Sequence, residues 1–222
     1  SLDEFMPVLE ESGQVDEMGE GVLREACRQV KAWHDSGLPG LRCSVNLSSR
    51  QLQEQGFPNR VAQILRETGL PPSSLVLEIT ESLLVQDAPD VLRTFNDLRS
   101  MGISLALDDF GTGFSSLKQL YRMPFNEIKV DSSFVREMER DPEARTIVET
   151  VVYLAHKLGM TACAEGVENE NTLEILAELR CDRVQGYLIS QPVPADRIAE
   201  IAASWNDSGR TGLRLAWSRD ES

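Results

Sequence analysis

Residues 103–131 read ISLALDDFGTGFSSLKQLYRMPFNEIKVD, and they contain the pattern on which the fold of the whole chain depends. An apolar run over 103–107 has strand character, ends in two aspartates, and is followed by a glycine-rich loop. A short helical segment then leads into a second apolar run, 127–130, which contains one lysine and is followed by another aspartate. Strand, helix and strand in this order predict a pair of parallel strands joined by a crossover.

The same alternation extends in both directions along the chain. Short apolar runs with β-branched residues alternate with longer segments of helical period. The predicted strands are Leu41–Leu47, Leu75–Thr80, Ile103–Leu107, Glu127–Val130, Thr161–Ala164 and Arg183–Leu188. The predicted helices are Ser1–Glu10, Asp16–Trp33, Pro58–Thr68, Asp90–Met101, Leu117–Arg122, Glu143–Leu158, Asn171–Leu179 and Ala195–Trp205. We therefore expect an α/β fold with about six β/α units and a parallel sheet.

Two architectures fit this pattern, a doubly wound open sheet and a TIM-type (β/α)8 barrel. We favour the barrel because polar side chains recur at the carboxyl end of nearly every strand, and in a barrel those ends converge on one site. A doubly wound sheet would concentrate them at a single switch point. We assign residues 1–205 to one domain. The tail, 206–222, is either a linker or an added edge strand, and the sequence leaves this choice open.

Composition and charge exclude several classes of protein. The chain has 222 residues, a formal net charge of −14 and 26% charged residues, which is typical of an acidic globular protein. It has no cluster of lysine and arginine for binding a nucleic acid polymer, and no apolar stretch long enough for a membrane span. Its four cysteines form no C-x-x-C pair, so a zinc site of cysteine and histidine is not expected. We predict a cytoplasmic location, either as a free protein or as the cytoplasmic part of a larger, membrane-anchored one.

The side chains at the predicted strand ends are almost all oxygen ligands. They are Asn46, Glu78, Asp108, Asp109, Lys129, Asp131, Glu165 and Gln185. Amide and carboxylate oxygens suit hard cations, so this set predicts Mg²⁺ or Mn²⁺ rather than zinc or copper. Several carboxylates that face one cavity would repel each other unless a divalent ion neutralised them. Glu78 and Lys129 are especially informative, because each lies within an apolar strand, where an unpaired charge is costly.

Together these stretches resemble the EAL domain family, whose members cleave cyclic di-GMP. The matching stretches are VNLS (45–48), EITES (78–82), DDFGTG (108–113), IKVD (128–131), AEGVE (164–168) and VQGYL (184–188), and they occur in the family's order. The resemblance covers roughly residues 1–203. The Glu-Ala-Leu segment that gives the family its name precedes the first helix, so we expect the N-terminal strands of the barrel to be missing from this chain.

The resemblance also implies a role for each matched residue. The implied metal ligands are Asn46, Glu78, Asp108, Asp109 and Glu165. The implied catalytic residues are Lys129, Glu165 and Asp109. The implied supporting residues are Glu81, Asp131, Glu168 and Gln185. Lys129 would position or polarise the attacking water, and Glu81 would anchor the glycine-rich loop.

The function implied by the resemblance is metal-dependent hydrolysis of cyclic di-GMP to the linear dinucleotide pGpG by a homodimer in bacterial signalling. Two ions, Mg²⁺ or Mn²⁺, would activate water and stabilise the leaving oxygen. Two alternatives differ in class. A non-catalytic receptor would bind cyclic di-GMP without turnover, and an unrelated barrel lyase would use Lys129 as a Schiff base without any metal.

Overall fold

The computed structural model describes residues 14–81, 89–113, 117–207 and 214–215, and every strand in it is parallel to its neighbours. The strands are β1 (Cys43–Asn46), β2 (Leu75–Thr80), β3 (Ser104–Phe110), β4 (Glu127–Val130), β5 (Thr161–Ala164), β6 (Arg183–Val184) and β7 (Arg214–Leu215). The helices are α1 (Gln14–Asp35), α2 (Ser49–Gln53), α3 (Phe57–Thr68), α4 (Pro89–Ser100), α5 (Leu117–Arg122), α6 (Ser132–Glu137), α7 (Pro142–Lys157), α8 (Glu170–Glu178) and α9 (Ile198–Asp207). The predicted helix Ser1–Glu10 lies outside the described residues.

The strand order decides between the two predicted architectures. The strands lie in the order β1 to β7, so each strand pairs with the one before it in the chain. Because every crossover steps in the same direction, the connecting helices fall on one face of the sheet and the other face becomes the inside of its curve. A doubly wound sheet would reverse its direction once. The winding is that of a TIM-type barrel, and the predicted architecture is confirmed.

The apolar core lies between the sheet and the helices. Leu75, Leu77 and Ile79 alternate along β2 and are completely buried. They belong to the same apolar cluster as Phe95 and Leu98 of α4. Burying a side chain of this size contributes roughly 1.5–3 kcal/mol, so this layer supplies much of the stability that fixes the strands. None of the described helices is both long enough and apolar enough to cross a membrane.

The remaining strand positions face the concave side of the sheet. Successive side chains on a strand point to opposite faces, and parallel partners in register point to the same face. Asn46 is in register with Glu78, Thr80 with Asp108, and Lys129 with Cys163. Asn46, Glu78, Asp108 and Lys129 therefore share this face.

The sixth strand is shorter than predicted. It ends at Val184, whereas the apolar pattern predicts Arg183–Leu188. Gly186 lies directly against the backbone of Val167, where an added Cβ would be 2.2 Å from the carbonyl oxygen. The Leu188 N–H donates to that oxygen at 3.0 Å, so the chain leaves the sheet and packs on the loop after β5.

Three helices that follow the strands of the concave site begin at side-chain caps. Asp131, Asp141 and Asn169 accept hydrogen bonds from backbone N–H groups in the first turns of α6, α7 and α8. Such caps satisfy donors that the helix itself leaves unpaired. The caps of α6 and α8 thereby fix where the loops after β4 and β5 end.

Candidate metal centre

Lys129 lies on the concave face near the carboxyl end of β4, and its side chain is only 4% exposed. Its Nζ is 2.9 Å from Glu78 Oε2, 2.9 Å from Asp108 Oδ1 and 2.6 Å from Glu165 Oε1. These partners come from β2, from β3 and from the residue after β5. Four neighbouring strands therefore bring one cation and three carboxylates together, at positions that are far apart in the sequence.

The pKa of Lys129 is raised above its ordinary value. Burial by itself lowers this pKa, but the attraction of Glu78, Glu165 and Asp108 outweighs the effect of burial. Lys129 is therefore an ammonium ion at neutral pH, and it can donate hydrogen bonds. A Schiff-base lysine must attack as a neutral amine, so this environment argues against the lyase alternative.

Asp108, Asp109 and Glu165 form an acidic trio beside this lysine. Each of them offers a carboxylate oxygen, and these oxygens lie within 4.8 Å of one another. Burial raises the pKa of Glu165, although Lys129 opposes the shift. Burial also raises the pKa of Asp109, and the neighbouring charge of Asp108 adds to the effect. The ionised form of both carboxylates is thus unfavourable in this environment, and an added cation would stabilise it.

The donor chemistry of the trio fits a divalent metal ion. All of its donors are carboxylate oxygens, which Mg²⁺ and Mn²⁺ prefer, and they converge within the span of a single coordination sphere or of two adjacent ones. Lys129 offsets only part of their charge, because Glu78 shares the same ammonium group. Asp108, Asp109 and Glu165 are therefore a group of residues that could hold an ion.

The backbone around the trio is held by Glu81, which is buried. Its Oε2 accepts hydrogen bonds from the Gly111 N–H at 3.0 Å and from the Gly113 N–H at 3.1 Å. An added Cβ at Gly113 would lie 2.9 Å from the Glu81 carboxyl carbon, so any larger residue would collide with this anchor. Asp109 has a φ of 54°, in the left-handed region, at the point where the chain leaves the strand and enters the loop.

The other predicted site residues lie around this centre. Asn46 is exposed at the end of β1, in register with Glu78. Asp131 caps α6 by accepting a hydrogen bond from the Ser133 N–H at 2.9 Å, and its charge also raises the pKa of Asp109. The structure therefore keeps Asn46 and Asp131 at the rim of the acidic centre.

Glu168 and Gln185 make different contacts from the residues at the centre. The Glu168 carboxylate pairs with Arg136 Nε at 3.0 Å, and both side chains are about half exposed. Gln185 is exposed directly after β6, and its backbone N–H donates to the Ala164 carbonyl at 2.8 Å. Glu168 thus ties a loop to a helix, and Gln185 continues the edge of the sheet toward the site.

A family model described as EAL domain matches residues 1–192. The chain belongs to the EAL domain family. It is 40% identical over 200 residues to the bifunctional diguanylate cyclase/cyclic di-GMP phosphodiesterase MucR of Pseudomonas aeruginosa, a match that spans 90% of this chain and 29% of MucR. It is 35% identical over 212 residues to the cyclic di-GMP phosphodiesterase NbdA of the same species, over 96% of this chain and 27% of NbdA.

A solved structure supports the same assignment. The PaMucR phosphodiesterase in complex with c-di-GMP superposes on this EAL domain with a TM-score of 0.84 and 39% sequence identity. The superposition covers 89% of this chain and 80% of that one. The chain spans less than a third of the length of the curated relatives MucR and NbdA.

The concave face of this EAL domain contains a second buried ion pair that the sequence analysis did not identify. Arg183 Nη1 is 3.0 Å from Glu127 Oε2, and both side chains are 7% exposed. Thr161 Oγ1 donates to the same carboxylate oxygen at 3.2 Å. The sequence contained one indication of this pair, because Glu127 and Lys129 are two residues apart on β4 and must face the same side.

Proposed function

We propose that this EAL domain hydrolyses cyclic di-GMP to linear pGpG, using two divalent ions that are Mg²⁺ or Mn²⁺. The observation that carries the proposal is the single ammonium group of Lys129 among the carboxylates of Glu78, Asp108 and Glu165. The names of MucR and NbdA, which both include cyclic di-GMP phosphodiesterase, supply the substrate.

In this proposal, five residues hold the ions. Asn46, Glu78 and Asp108 would hold the first ion, and Asp108, Asp109 and Glu165 would hold the second. A bound pair of ions supplies an activated water and neutralises charge on the leaving oxygen. The trio's oxygen donors, within 4.8 Å of one another, support the second of these positions.

Lys129 acts on the reacting phosphate in this proposal. Its ammonium group is buried and aimed into the acidic centre, so it can donate a hydrogen bond to the attacking water and stabilise the charge that builds on the phosphoryl oxygens. Such a fixed donor in a dry site typically contributes about 10²–10³-fold to turnover. Asp109 and Glu165, which lie beside Lys129 and Asp108, would receive the proton of the water in this proposal.

Hydrolysis forms one bond to phosphorus, breaks another, and moves one proton from the water to the leaving oxygen. The water oxygen attacks phosphorus, the bond from phosphorus to O3′ breaks, and O3′ takes up a proton. The product keeps a 5′ phosphate, which makes it pGpG. Glu81 contributes by holding the backbone of the Asp109 loop through Gly111 and Gly113. Asp131, Glu168 and Gln185 keep their supporting roles as predictions, as do the homodimer and the cytoplasmic location.

The test is to incubate the purified protein with cyclic di-GMP and Mg²⁺ or Mn²⁺, and to follow the nucleotides by chromatography. We expect pGpG to appear with either ion and to be absent after EDTA treatment. Binding of cyclic di-GMP without any product would support the receptor alternative. Product formation that persists in EDTA would contradict the role of the ions.

A further inference from the structure

The short helix α6 contacts both loops that carry the acidic trio. Asp108 and Asp109 lead into the loop after β3, whereas Glu165 begins the loop after β5. These two loops are separated in the sheet by β4, and α6 directly follows β4. The relative position of the two halves of the trio therefore depends on what lies between the loops.

Phe134 on α6 contacts the first loop. An added Cβ at Gly111 would lie 3.0 Å from Phe134 Cε2 and 3.7 Å from Cδ2, so the ring lies directly against the Gly111 backbone. Gly111 has a φ of 108°, which other residues rarely adopt. On its other side, the Gly111 N–H is bound to Glu81. The backbone two residues after Asp109 is thus held between a carboxylate and an aromatic ring.

Ser132 and Arg136 on the same helix contact the second loop. An added Cβ at Gly166 would lie 2.7 Å from Ser132 Cβ, so the residue after Glu165 is packed tightly on the first turn of α6. Arg136 Nε pairs with Glu168 at 3.0 Å. The helix itself is anchored in the core by Val135, which is completely buried.

We propose that Phe134 is a positioning residue that sets the Asp108–Asp109 side of the trio at the correct distance from Glu165. The proposal rests on the proposed function, because it assigns Phe134 to the same metal site. Phe134 does not ligate the ion; it acts through the Gly111 backbone. Interactions that orient metal ligands from outside typically change metal affinity by about 10–100-fold when they are lost, so the effect is measurable without turnover.

The decisive comparison is the same substitution at two phenylalanines. Phe134→Leu removes Cε2, the atom nearest to Gly111. Phe95→Leu makes the same change in α4, where the completely buried ring packs at 5.7 Å from the ring of Phe125. Mn²⁺ affinity is measured by electron paramagnetic resonance of the free ion, and stability by thermal denaturation without metal.

We expect Phe134→Leu to weaken Mn²⁺ binding by about tenfold, with a smaller fall in thermal stability than Phe95→Leu causes. Phe95→Leu should leave the Mn²⁺ affinity of the folded protein unchanged. Unchanged Mn²⁺ affinity in folded Phe134→Leu would overturn the proposal, as would an equal loss in Phe95→Leu. If the unsubstituted protein binds Mn²⁺ but does not cleave cyclic di-GMP, the proposed function fails while this comparison still decides the role of Phe134.

A double-mutant cycle tests whether the contact with Gly111 is the one that matters. Gly111→Ala places a Cβ against the ring, and it also strains the backbone at a positive φ. Phe134→Leu removes the steric part of this cost. We expect Gly111→Ala to weaken Mn²⁺ binding less in the Phe134→Leu background than in the unsubstituted protein. Additive losses of affinity would show that the two residues act separately and would contradict the proposal.

Discussion

Two buried charge clusters share the concave face of the sheet, and they differ in balance. The upper cluster, at the carboxyl ends of the strands, consists of Lys129, Glu78, Asp108 and Glu165. The lower pair, toward the amino ends, consists of Glu127 and Arg183. The upper cluster has three carboxylates for one cation, whereas the lower pair has one carboxylate for one cation.

This difference distinguishes a cluster that favours a bound cation from an ion pair that stabilises the fold. Glu127 pairs with Arg183, and Arg42 adds a second positive charge nearby, so the protein itself supplies the cations that face this carboxylate. In the upper cluster, Lys129 is shared among several acids, and Asp109 adds one more beside them. An excess of negative charge that the protein does not neutralise favours a bound cation. The comparison predicts that the upper cluster responds to metal and that the lower pair does not.

The largest effect on stability is expected from breaking the lower pair. Arg183→Met leaves Glu127 buried without its main cation, and losing one partner of a buried pair costs about 3–5 kcal/mol. Chemical denaturation of the metal-free protein measures the free energy of unfolding. Arg197→Met is the matched control, because its pair with Glu200 is more than 60% exposed and such pairs contribute about 0–1 kcal/mol.

The same experiment has a second arm that tests the role of charge. Glu127→Leu combined with Arg183→Met removes both members of the lower pair, and apolar replacement of a buried pair is often neutral. We expect the double variant to recover most of the lost stability and to retain turnover. If turnover falls as far in the folded double variant as in a variant of the upper cluster, the lower pair is part of the site and the distinction between the two clusters is wrong.

The next largest effect is expected at the centre of the upper cluster. Lys129→Met removes the donor that is proposed to face the reacting phosphate, and we expect turnover of cyclic di-GMP to fall by about 10²–10³-fold. Steady-state kinetics at saturating Mg²⁺ measures this loss. Lys157→Met is the control, because Lys157 is exposed over the ring of Tyr153 and is far from the carboxylates in the fold. Near-normal turnover in Lys129→Met would remove Lys129 from the proposed chemistry.

The sequence predicts the upper cluster better than it predicts the lower pair, and the reason is physical. Glu78 and Lys129 interrupt apolar strands, and burial of a charge within a strand requires a partner. Parallel strands bring their carboxyl ends to one edge, so the meeting of these residues follows from topology. Glu127 obeys the same alternation, but it stands at the start of β4, where a charged residue is usually solvated.

Other features depend on tertiary contacts that periodicity does not encode. The end of β6 is set by the approach of Gly186 to the backbone of Val167. The helix α6 has six residues, too few for a clear helical period, and its contact through Phe134 joins segments from different loops. Arg214–Leu215 forms β7 beside β6, which the tail sequence left open. Contacts between segments that are distant in the sequence therefore cannot be predicted from periodicity and are seen only in the structure.

A smaller effect is expected when pH is changed, because the stabilisation of the protein by a bound metal ion should depend on pH. Because Asp109 and Glu165 have raised pKa values, the folded protein binds protons at these sites more tightly than the unfolded chain. Protonation of these two carboxylates therefore stabilises the folded protein fully below their unfolded pKa values. This stabilisation is lost as pH rises through their folded pKa values. Metal ions compete for the same carboxylates, so stabilisation by Mg²⁺ should increase with pH.

Thermal denaturation at pH 5 and at pH 8, with and without Mg²⁺, measures this dependence. At 100 times its dissociation constant an ion stabilises the folded state by about 2.7 kcal/mol, and we expect this benefit at pH 8 and a smaller one at pH 5. The Glu127→Leu, Arg183→Met double variant should show the same increase, because the lower pair does not bind the ion. A benefit that falls as pH rises would contradict the binding of the ion by these carboxylates.

The smallest effect is expected at the surface pair of Arg136 and Glu168. Both side chains are about half exposed, and exposed pairs contribute about 0–1 kcal/mol, so Arg136→Met should change the free energy of unfolding by no more than this. Mn²⁺ affinity should also stay close to normal, because Gly166 remains packed against Ser132 and continues to hold the loop that begins at Glu165. Titration of Mn²⁺ into Arg136→Met, beside Phe134→Leu, measures the contrast. A tenfold loss of affinity in Arg136→Met would show that the position of Glu165 depends on the ion pair more than on the packing of α6.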